Sequence, residues 1–139
     1  MKQTRTQARE EAFKLVFQLN MHSDDIDFLI ENLIEEKPES EKNIDYIKKV
    51  VFGVNEKNDE LEEVIQNSLT RGWKIARLSK ASLSVLKLAV YEILYVDDVP
   101  QNVAINEAVE LTKKYDDLEK APFVNGVLGG ICRKLKEQE

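Results

Sequence analysis

The sequence predicts an all-α protein of two packed helical bundles, with about seven helices. Glycine and proline fill only 5 and 3 of the 139 positions, while 42% of residues are hydrophobic and 33% are charged. This composition favours helices and supplies enough apolar side chains for a core. Apolar residues recur at helical spacing along most of the chain. No segment alternates polar and apolar residues for long enough to indicate a sheet.

Four helices are predicted in the first half. The first is expected over residues 6–21, where the apolar side chains share one face. Ser23 is a candidate N-cap for the second helix, which Pro38 should end. The third contains Gly53, at a cost of about 1 kcal/mol relative to alanine. After the polar bend at 55–59, a fourth segment has its apolar residues one turn apart, at Leu61, Val64, Ile65 and Leu69.

The stretch TRGWK (70–74) is interpreted as the joint between two subdomains. Gly72 breaks the helix there, and Trp73 is expected to plug the seam because a large aromatic ring anchors packed elements well. The predicted domain organisation is therefore an N-terminal helical subdomain, 1–70, that carries a basic arm, and a C-terminal helical subdomain, 71–139.

Three helices are predicted in the second half. Ser79 should cap a helix that runs to about Val96 and is apolar around most of its circumference, which indicates a central, buried position. Asn102 should cap the next helix, and the last has its apolar residues on one stripe. Gly126 and Gly130 in this last helix are expected to let a neighbouring helix approach closely. The surrounding FVNGVLGGI lacks the GK[ST] ending of a phosphate loop.

The formal net charge of −6 is unevenly distributed. Residues 21–70 carry fourteen acidic and five basic side chains, whereas residues 1–20 carry four basic and two acidic ones. An evenly acidic protein would repel a polyanion everywhere. Here the N-terminal arm, which opens MKQTRTQARE, remains able to meet phosphate.

The arm contains the first candidate site, formed by Lys2, Arg5, Arg9 and Lys14. Lysine and arginine pair with phosphates, and arginine also stacks on unpaired bases. Cations at a helix N-terminus oppose the helix dipole by about 0.3–1 kcal/mol each, which indicates that an external group neutralises them. The alternative is a terminus whose charges only keep the chain in solution, and charge alone favours this alternative.

A second candidate site is a polar stripe on the central helix. Its members share one face by helical spacing, and they are Lys80, Ser84, Lys87, Tyr91 and Tyr95. The mixture of charge, hydroxyl and aromatic ring suits a partner surface or single-stranded RNA. The alternative is the solvated edge of a buried helix, with tyrosine hydroxyls reaching water. Spacing alone leaves both interpretations open.

Several classes of function lack support. Cys132 is the single cysteine, so an internal disulfide is impossible and a reducing, cytoplasmic setting is expected. The longest apolar run, 86–96, is too short to span a bilayer and contains two charges. His22 stands alone, so neither a metal site nor a catalytic triad can be nominated. Glu92 lies in an apolar setting and is interpreted as a paired structural carboxylate.

Four segments resemble a known family. In this order and spacing, AREEAFKLVFQLN, WKIARLSKASLSVLKLAVYEI, DVPQNVAINEAVELTKKY and FVNGVLGGI closely resemble the NusB family of bacterial transcription antitermination factors. The resemblance covers essentially the whole chain, from Arg9 to about Ile131. It implies the NusB-like fold of two helical bundles and a non-enzymatic role without a cofactor or metal.

The resemblance also implies partners and residues. NusB-like proteins bind the boxA element of nascent ribosomal RNA together with NusE, a small-subunit ribosomal protein, and act within the RNA polymerase antitermination complex. The RNA-binding role carries over to Lys2, Arg5 and Arg9, and also to Phe17. Candidates for the NusE face are the exposed side of the central helix and residues 116–120, which include Glu119.

Some alternatives stay open beside the resemblance. The chain has Ser82 and Leu83 where relatives commonly have an acidic and then a basic residue, a change that weakens a polar contact or adds apolar partner surface. A homodimer that buries the arm is one possible state. The runner-up function is a helical protein-interaction module without its own RNA sequence specificity, and an enzyme is disfavoured.

Overall fold

The computed structural model describes residues 2–138, and this part of the chain folds into seven α-helices without a strand. The helices are α1 (Arg5–Met21), α2 (Ile26–Glu36), α3 (Ile44–Glu56), α4 (Asn58–Gln66), α5 (Lys80–Tyr95), α6 (Gln101–Tyr115) and α7 (Ala121–Glu137). Short 3₁₀ turns lie at Pro38–Asn43, Ile75–Arg77 and Leu118–Lys120. The predicted all-α class and helix number are confirmed.

Side-chain caps explain where α1 and α2 begin. The Thr4 hydroxyl accepts a hydrogen bond from the Gln7 amide at 3.1 Å, and the Gln7 side chain accepts one from the Thr4 amide at 2.8 Å. This reciprocal capping box starts α1 at Arg5, one residue before the prediction. The predicted cap of α2 at Ser23 is wrong, because the Asp25 carboxylate accepts the free amides of its first turn.

The starts of α5 and α6 differ in kind. Ser79 caps α5 as predicted, since its hydroxyl accepts a hydrogen bond from the Ser82 amide at 3.0 Å. The predicted cap of α6 at Asn102 is wrong: α6 starts directly after Pro100, without a side-chain cap. The Pro100 carbonyl accepts hydrogen bonds from the amides of Val103 and Ala104, which closes the first turn.

Helix α5 is the centre of the molecule, as its apolar circumference predicts. It packs against α1, α3, α4, α6 and α7. Eleven consecutive residues, from Ser82 to Glu92, are buried in it. Helices from both halves of the chain share one hydrophobic cluster around α5. Burial of each large aliphatic side chain in this cluster contributes about 1.5–3 kcal/mol to the stability of the fold. The division into subdomains at residue 70 stays a prediction.

Gly53 has a packing role that the sequence does not reveal. A Cβ atom at this position would overlap the aromatic ring of Tyr91, so glycine leaves room for this ring against α3. The prediction for Gly126 and Gly130 is wrong. Gly126 is exposed, and the nearest atom to a Cβ at Gly130 belongs to Arg133 of the same helix.

Within residues 2–138, no helix is both long enough and apolar enough to cross a membrane.

Candidate functional site

The N-terminal arm is docked on the body of the protein by neutral side chains. The Gln3 side chain is only 3% exposed, and its Nε2 donates a hydrogen bond to Ser40 Oγ at 2.8 Å. Asn43 Nδ2 donates to both the Gln3 carbonyl oxygen, at 3.2 Å, and Gln3 Oε1, at 3.0 Å. We call Gln3, Ser40 and Asn43 the arm latch. It ties the chain ahead of α1 to the Pro38–Asn43 turn.

Two of the predicted arm cations lie at the surface. Lys2 and Arg5 are both exposed. The Arg5 guanidinium stacks on Tyr46, 4.4 Å from the ring centroid, and its Nε donates a hydrogen bond to Asn43 Oδ1 at 3.3 Å. The stacked guanidinium keeps its remaining N–H donors available, because Arg has five of them.

Arg9 was predicted to contact RNA, and its position corrects that assignment. The residue is 4% exposed. Its Nε and Nη2 donate to the two carboxylate oxygens of Glu92 at 2.8 and 3.0 Å, and its Nη1 lies 3.1 Å from Glu107 Oε1. A guanidinium held this way cannot reach a phosphate at the surface. Arg9 is an internal ion-pair partner that joins α1 to α5 and α6.

The buried ion pair is completed by Tyr46, whose hydroxyl donates to Glu92 Oε1 at 3.1 Å. Burial, and then the negative charge of Glu92, raises the pKa of Tyr46, so the phenol stays neutral. Burial alone would lower the pKa of Arg9, but the hydrogen bond and charge of Glu92, with the charge of Glu107, raise it above its ordinary value. The interpretation of Glu92 as a paired structural carboxylate is confirmed.

A charged cleft of about 360 Å³ opens beside the arm. We call it the lysine cleft after the cations that line it, which are Lys2, Lys14, Lys37 and Lys114. Lys2 and Lys14 belong to the predicted arm. Lys37 follows α2 and Lys114 ends α6, so the fold brings together four cations from three distant parts of the sequence. No local pattern marks Lys37 or Lys114, which is why sequence reasoning missed them.

Glutamates on α1, which also line the cleft, pair with three of the four lysines. Lys37 Nζ lies 2.8 Å and Lys14 Nζ 3.5 Å from Glu11 Oε2, and Lys114 Nζ lies 2.6 Å from Glu10 Oε2. Burial would raise the pKa of Glu10, but hydrogen bonds from Lys114 and Tyr115 lower it overall. An ammonium group has three donors, so each lysine keeps capacity for a further anion.

Phe17 lies next to this cleft. The residue is half-buried, and it lines a small apolar groove of about 240 Å³ with Phe13, Lys14 and Tyr115. The ring centroids of Phe13 and Tyr115 are 4.9 Å apart. Lys14 and Tyr115 also line the lysine cleft, so an aromatic groove and a cationic cleft adjoin.

The predicted polar stripe on α5 does not form a surface. Ser84, Lys87 and Tyr91 are buried, and Lys87 is only 2% exposed. Lys80 remains exposed and Tyr95 is half-buried. Helical spacing places these residues on one face, but it does not say what covers that face. Both the partner-surface interpretation and the solvated-edge interpretation are wrong for the three buried residues.

Lys87 shows what covers the stripe. Its Nζ donates to Asn58 Oδ1 at 2.7 Å and to Asn20 Oδ1 at 3.1 Å, and it lies 2.9 Å from Glu62 Oε2. Asn20 also donates to Ser84 Oγ at 2.6 Å. The end of α1 and the start of α4 therefore cover this side of α5, and three oxygen partners satisfy the buried ammonium group.

A second surface lies around Trp73, which does not plug a seam as predicted but is 49% exposed. With Phe123, also exposed, it lines a groove of about 310 Å³ whose rim carries Arg77 and Lys120. We call this the Trp73–Phe123 groove. Glu119, a predicted partner residue, is exposed on the 3₁₀ turn at Leu118–Lys120, directly before Lys120.

Gln66 shapes the loop that presents Trp73. Its Nε2 donates to the Trp73 carbonyl oxygen at 2.8 Å, and its Oε1 accepts a hydrogen bond from the Ile75 amide at 2.9 Å. The Arg77 guanidinium lies 6.0 Å from the Trp73 ring centroid. The indole is therefore exposed on a loop whose backbone is held by hydrogen bonds to Gln66.

Asp116 binds three residues that line this groove, Ser79, Ser82 and Lys120. Its Oδ2 accepts hydrogen bonds from Ser79 Oγ at 2.5 Å and Ser82 Oγ at 2.7 Å, and Lys120 lies 3.3 Å from Oδ1. Burial would raise the pKa of Asp116, but these hydrogen bonds lower it to about 2. Ser82 is thus a bonded partner of Asp116. Leu83 is buried, so it adds no apolar partner surface.

We expect Asp116→Asn to lower the free energy of unfolding at neutral pH by about 2 kcal/mol. The folded-state pKa lies below the unfolded value of about 3.9, so this stabilisation is complete above about pH 5 and is lost as the pH falls towards 2. Urea unfolding of both chains at neutral pH and near pH 2.5 measures the difference. A difference that stays constant with pH would contradict this role for the carboxylate.

The fold and these surfaces define a class of protein: an all-helical protein with a cationic cleft and a groove lined by exposed aromatic rings. Among residues 2–138, no three His, Cys, Asp or Glu side chains are grouped so that they could hold a metal ion.

The chain belongs to the NusB family, whose profile matches residues 6–133. It is 44% identical to the transcription antitermination protein NusB of Ruminiclostridium cellulolyticum, over 97% of this chain and 92% of that protein. The family is one of antitermination factors and not of enzymes, so the predictions of family and non-enzymatic class are confirmed.

Solved structures agree with this assignment. The structure of T. maritima NusB has a TM-score of 0.82 and 31% identity, covering 96% of this chain and 93% of that one. A structure of the antitermination factors NusB and NusE in complex with double-stranded RNA has a TM-score of 0.79 and 27% identity, covering 94% of this chain and 96% of that one. The predicted NusB-like fold is confirmed.

Proposed function

We propose that this protein is an antitermination factor that binds boxA RNA of nascent ribosomal transcripts through its arm and lysine cleft. It does so together with NusE, and it acts in the cytoplasm within the RNA polymerase antitermination complex. The observation that carries the proposal is the convergence of five cations from the arm, α1, the end of α2 and the end of α6 beside a half-buried aromatic ring; three of these cations are exposed and two, Lys14 and Lys37, are half-buried. The cations are Lys2, Arg5, Lys14, Lys37 and Lys114.

The chemistry of this surface suits a single strand of RNA. Phosphates pair with lysine and arginine, and unpaired bases stack on aromatic rings. Phe17 supplies such a ring within reach of Lys14. Each phosphate contact to a single strand contributes about −0.7 to the slope of log K against log salt. Three or four contacts therefore give a slope of about −2 to −3, so the protein alone binds RNA weakly.

The Trp73–Phe123 groove supports the proposal of a protein partner. Tryptophan and arginine are enriched at the energetic centres of protein interfaces, and Trp73, Phe123 and Arg77 lie together here. The groove is formed by different helices from the lysine cleft. We therefore assign NusE to this groove, so that the two proteins together offer RNA a larger surface than either alone.

A second candidate function is a helical interaction module without RNA sequence specificity. Two observations favour it: the net charge of −6 and the burial of Arg9 in an internal ion pair. Fluorescence anisotropy with boxA RNA and with a scrambled RNA, each with and without NusE, separates the two. Tighter binding of boxA, increased further by NusE, is expected. Equal binding of both RNAs under both conditions would favour the module.

The arm cations are tested by the double variant Lys2→Ala with Arg5→Ala. Loss of two phosphate contacts should reduce boxA affinity and reduce the magnitude of the salt slope by about 1.4. The matched control is Arg133→Ala with Lys136→Ala, which removes the same two charge types from the exposed end of α7. We expect the control to retain the wild-type slope.

Two results would count against the arm. The first is an unchanged slope in the double variant. The second is a homodimer that persists in sedimentation at saturating boxA RNA while Lys2 and Arg5 are protected from chemical modification. The arm would then be a dimer contact. Circular dichroism of each variant checks that the helices remain intact.

A further inference from the structure

Neutral side chains tie the start of the arm to the body of the protein. Gln3, Ser40 and Asn43 are all buried, although each carries polar atoms. Burial of an amide or hydroxyl is unfavourable unless hydrogen bonds replace those to water. In the arm latch they do, and no buried side-chain nitrogen or oxygen among residues 2–138 lacks a partner.

Asn43 connects this network to a surface cation. Its Nδ2 bonds Gln3 while its Oδ1 accepts the Arg5 Nε hydrogen bond at 3.3 Å. One face of the planar Arg5 guanidinium stacks on the Tyr46 ring. One buried asparagine thus sets the course of the backbone between Lys2 and Arg5, and also the direction of the Arg5 side chain.

We propose that Gln3, Ser40 and Asn43 are positioning residues for RNA. They hold Lys2 and Arg5 in place before the strand arrives. A free arm would lose conformational freedom on binding, and this loss would weaken the complex. A latched arm has already lost it on folding. This inference rests on the proposed RNA-binding function, and it adds that buried, uncharged residues which never touch RNA set part of the affinity.

The salt dependence of binding distinguishes positioning from charge. Gln3→Ala and Asn43→Ala leave every cation of the arm and cleft in the chain. We therefore expect each to weaken boxA binding by roughly fivefold to tenfold while the slope of log K against log salt stays at the wild-type value. Lys2→Ala with Arg5→Ala changes the slope itself. The matched control is Asn125→Ala, an exposed asparagine on α7, which should bind as the wild type does.

A second readout follows the arm directly. Trypsin cleavage after Arg5 should be faster in the latch variants than in the wild type, because the backbone there is no longer tied to the Pro38–Asn43 turn. Gln3 lies outside every helix, so Gln3→Ala keeps the test valid should Asn43→Ala fail to fold.

Wild-type affinity in Gln3→Ala, or a weaker affinity with a reduced slope, would overturn the positioning role. The latter result would mean that the amide contacts RNA or that a cation was lost from the complex. Failure of the wild-type chain to bind boxA RNA, alone or with NusE, would remove the proposed function and this inference with it. The two failures are therefore distinguishable.

Discussion

Replacement of Arg9 by alanine is expected to destabilise the protein by about 3–5 kcal/mol, because it leaves the carboxylate of Glu92 buried without its cation. Glu92 is 1% exposed, and its remaining close partner is the hydroxyl of Tyr46. Domains of this size have a free energy of unfolding of about 5–15 kcal/mol. The variant should therefore lose a large part of its stability, with a melting temperature lower by roughly 10 °C or more.

Urea unfolding followed by circular dichroism measures this loss. The double variant Arg9→Met with Glu92→Met removes both charges together and should recover most of the stability. Since Arg9 is inside the protein, the double variant should also bind boxA RNA with the wild-type salt slope. A single variant that loses less than about 1 kcal/mol, or a folded double variant with a reduced slope, would contradict the internal role of Arg9.

Replacement of Trp73 or Phe123 by alanine is expected to weaken NusE binding by about 2–4 kcal/mol, or roughly 30-fold to 1000-fold. Both side chains are exposed in the free protein, so the fold should tolerate the change, and each would be covered in the complex. Large aromatic residues at the centre of an interface account for most of its affinity.

Isothermal titration calorimetry with purified NusE measures this effect. The control is Phe28→Ala, since Phe28 is an exposed aromatic residue on α2 that does not line the groove. It should bind NusE as tightly as the wild type does. Affinity within about twofold of wild type for both groove variants would place the NusE surface elsewhere on the protein.

The helices and their core could be predicted because their signals are local. The apolar circumference of α5 requires burial on most sides, and the structure places it at the centre. The Ser79 cap needs only a hydroxyl followed by a helix. The start of α6 differs from the prediction because Pro100 fixes the backbone there without a side-chain cap. The prediction had instead followed the preference of asparagine for the N-cap position and chosen Asn102.

The candidate site was harder to predict because it depends on contacts between distant segments. Helical spacing put Lys87 on a shared face, but only the fold brings Asn20, Asn58 and Glu62 over it. Lys37 and Lys114 join the cleft for the same reason. Glu92 was predicted to be a paired carboxylate, but its cationic partner was not identified from the sequence.

Arg9 was available as that cation. It directly follows Ala8, on the edge of the buried face of α1, and a guanidinium is the cation best suited to a buried carboxylate. A charge in a basic arm is therefore better judged by its helical position than by the sign of its neighbours. Arg5 and Lys2, which lie off the buried face, are the arm cations that the surface retains.

The RNA-binding surface is tested most directly by titrating isotope-labelled protein with boxA RNA and following the backbone and lysine side-chain chemical shifts. RNA binding at the arm and the lysine cleft should give the largest changes at residues 2–7 and around Lys14, Lys37 and Lys114, with small changes along α2 and α4. Changes confined to other surfaces, with the arm and the lysine cleft unaffected at saturation, would contradict it.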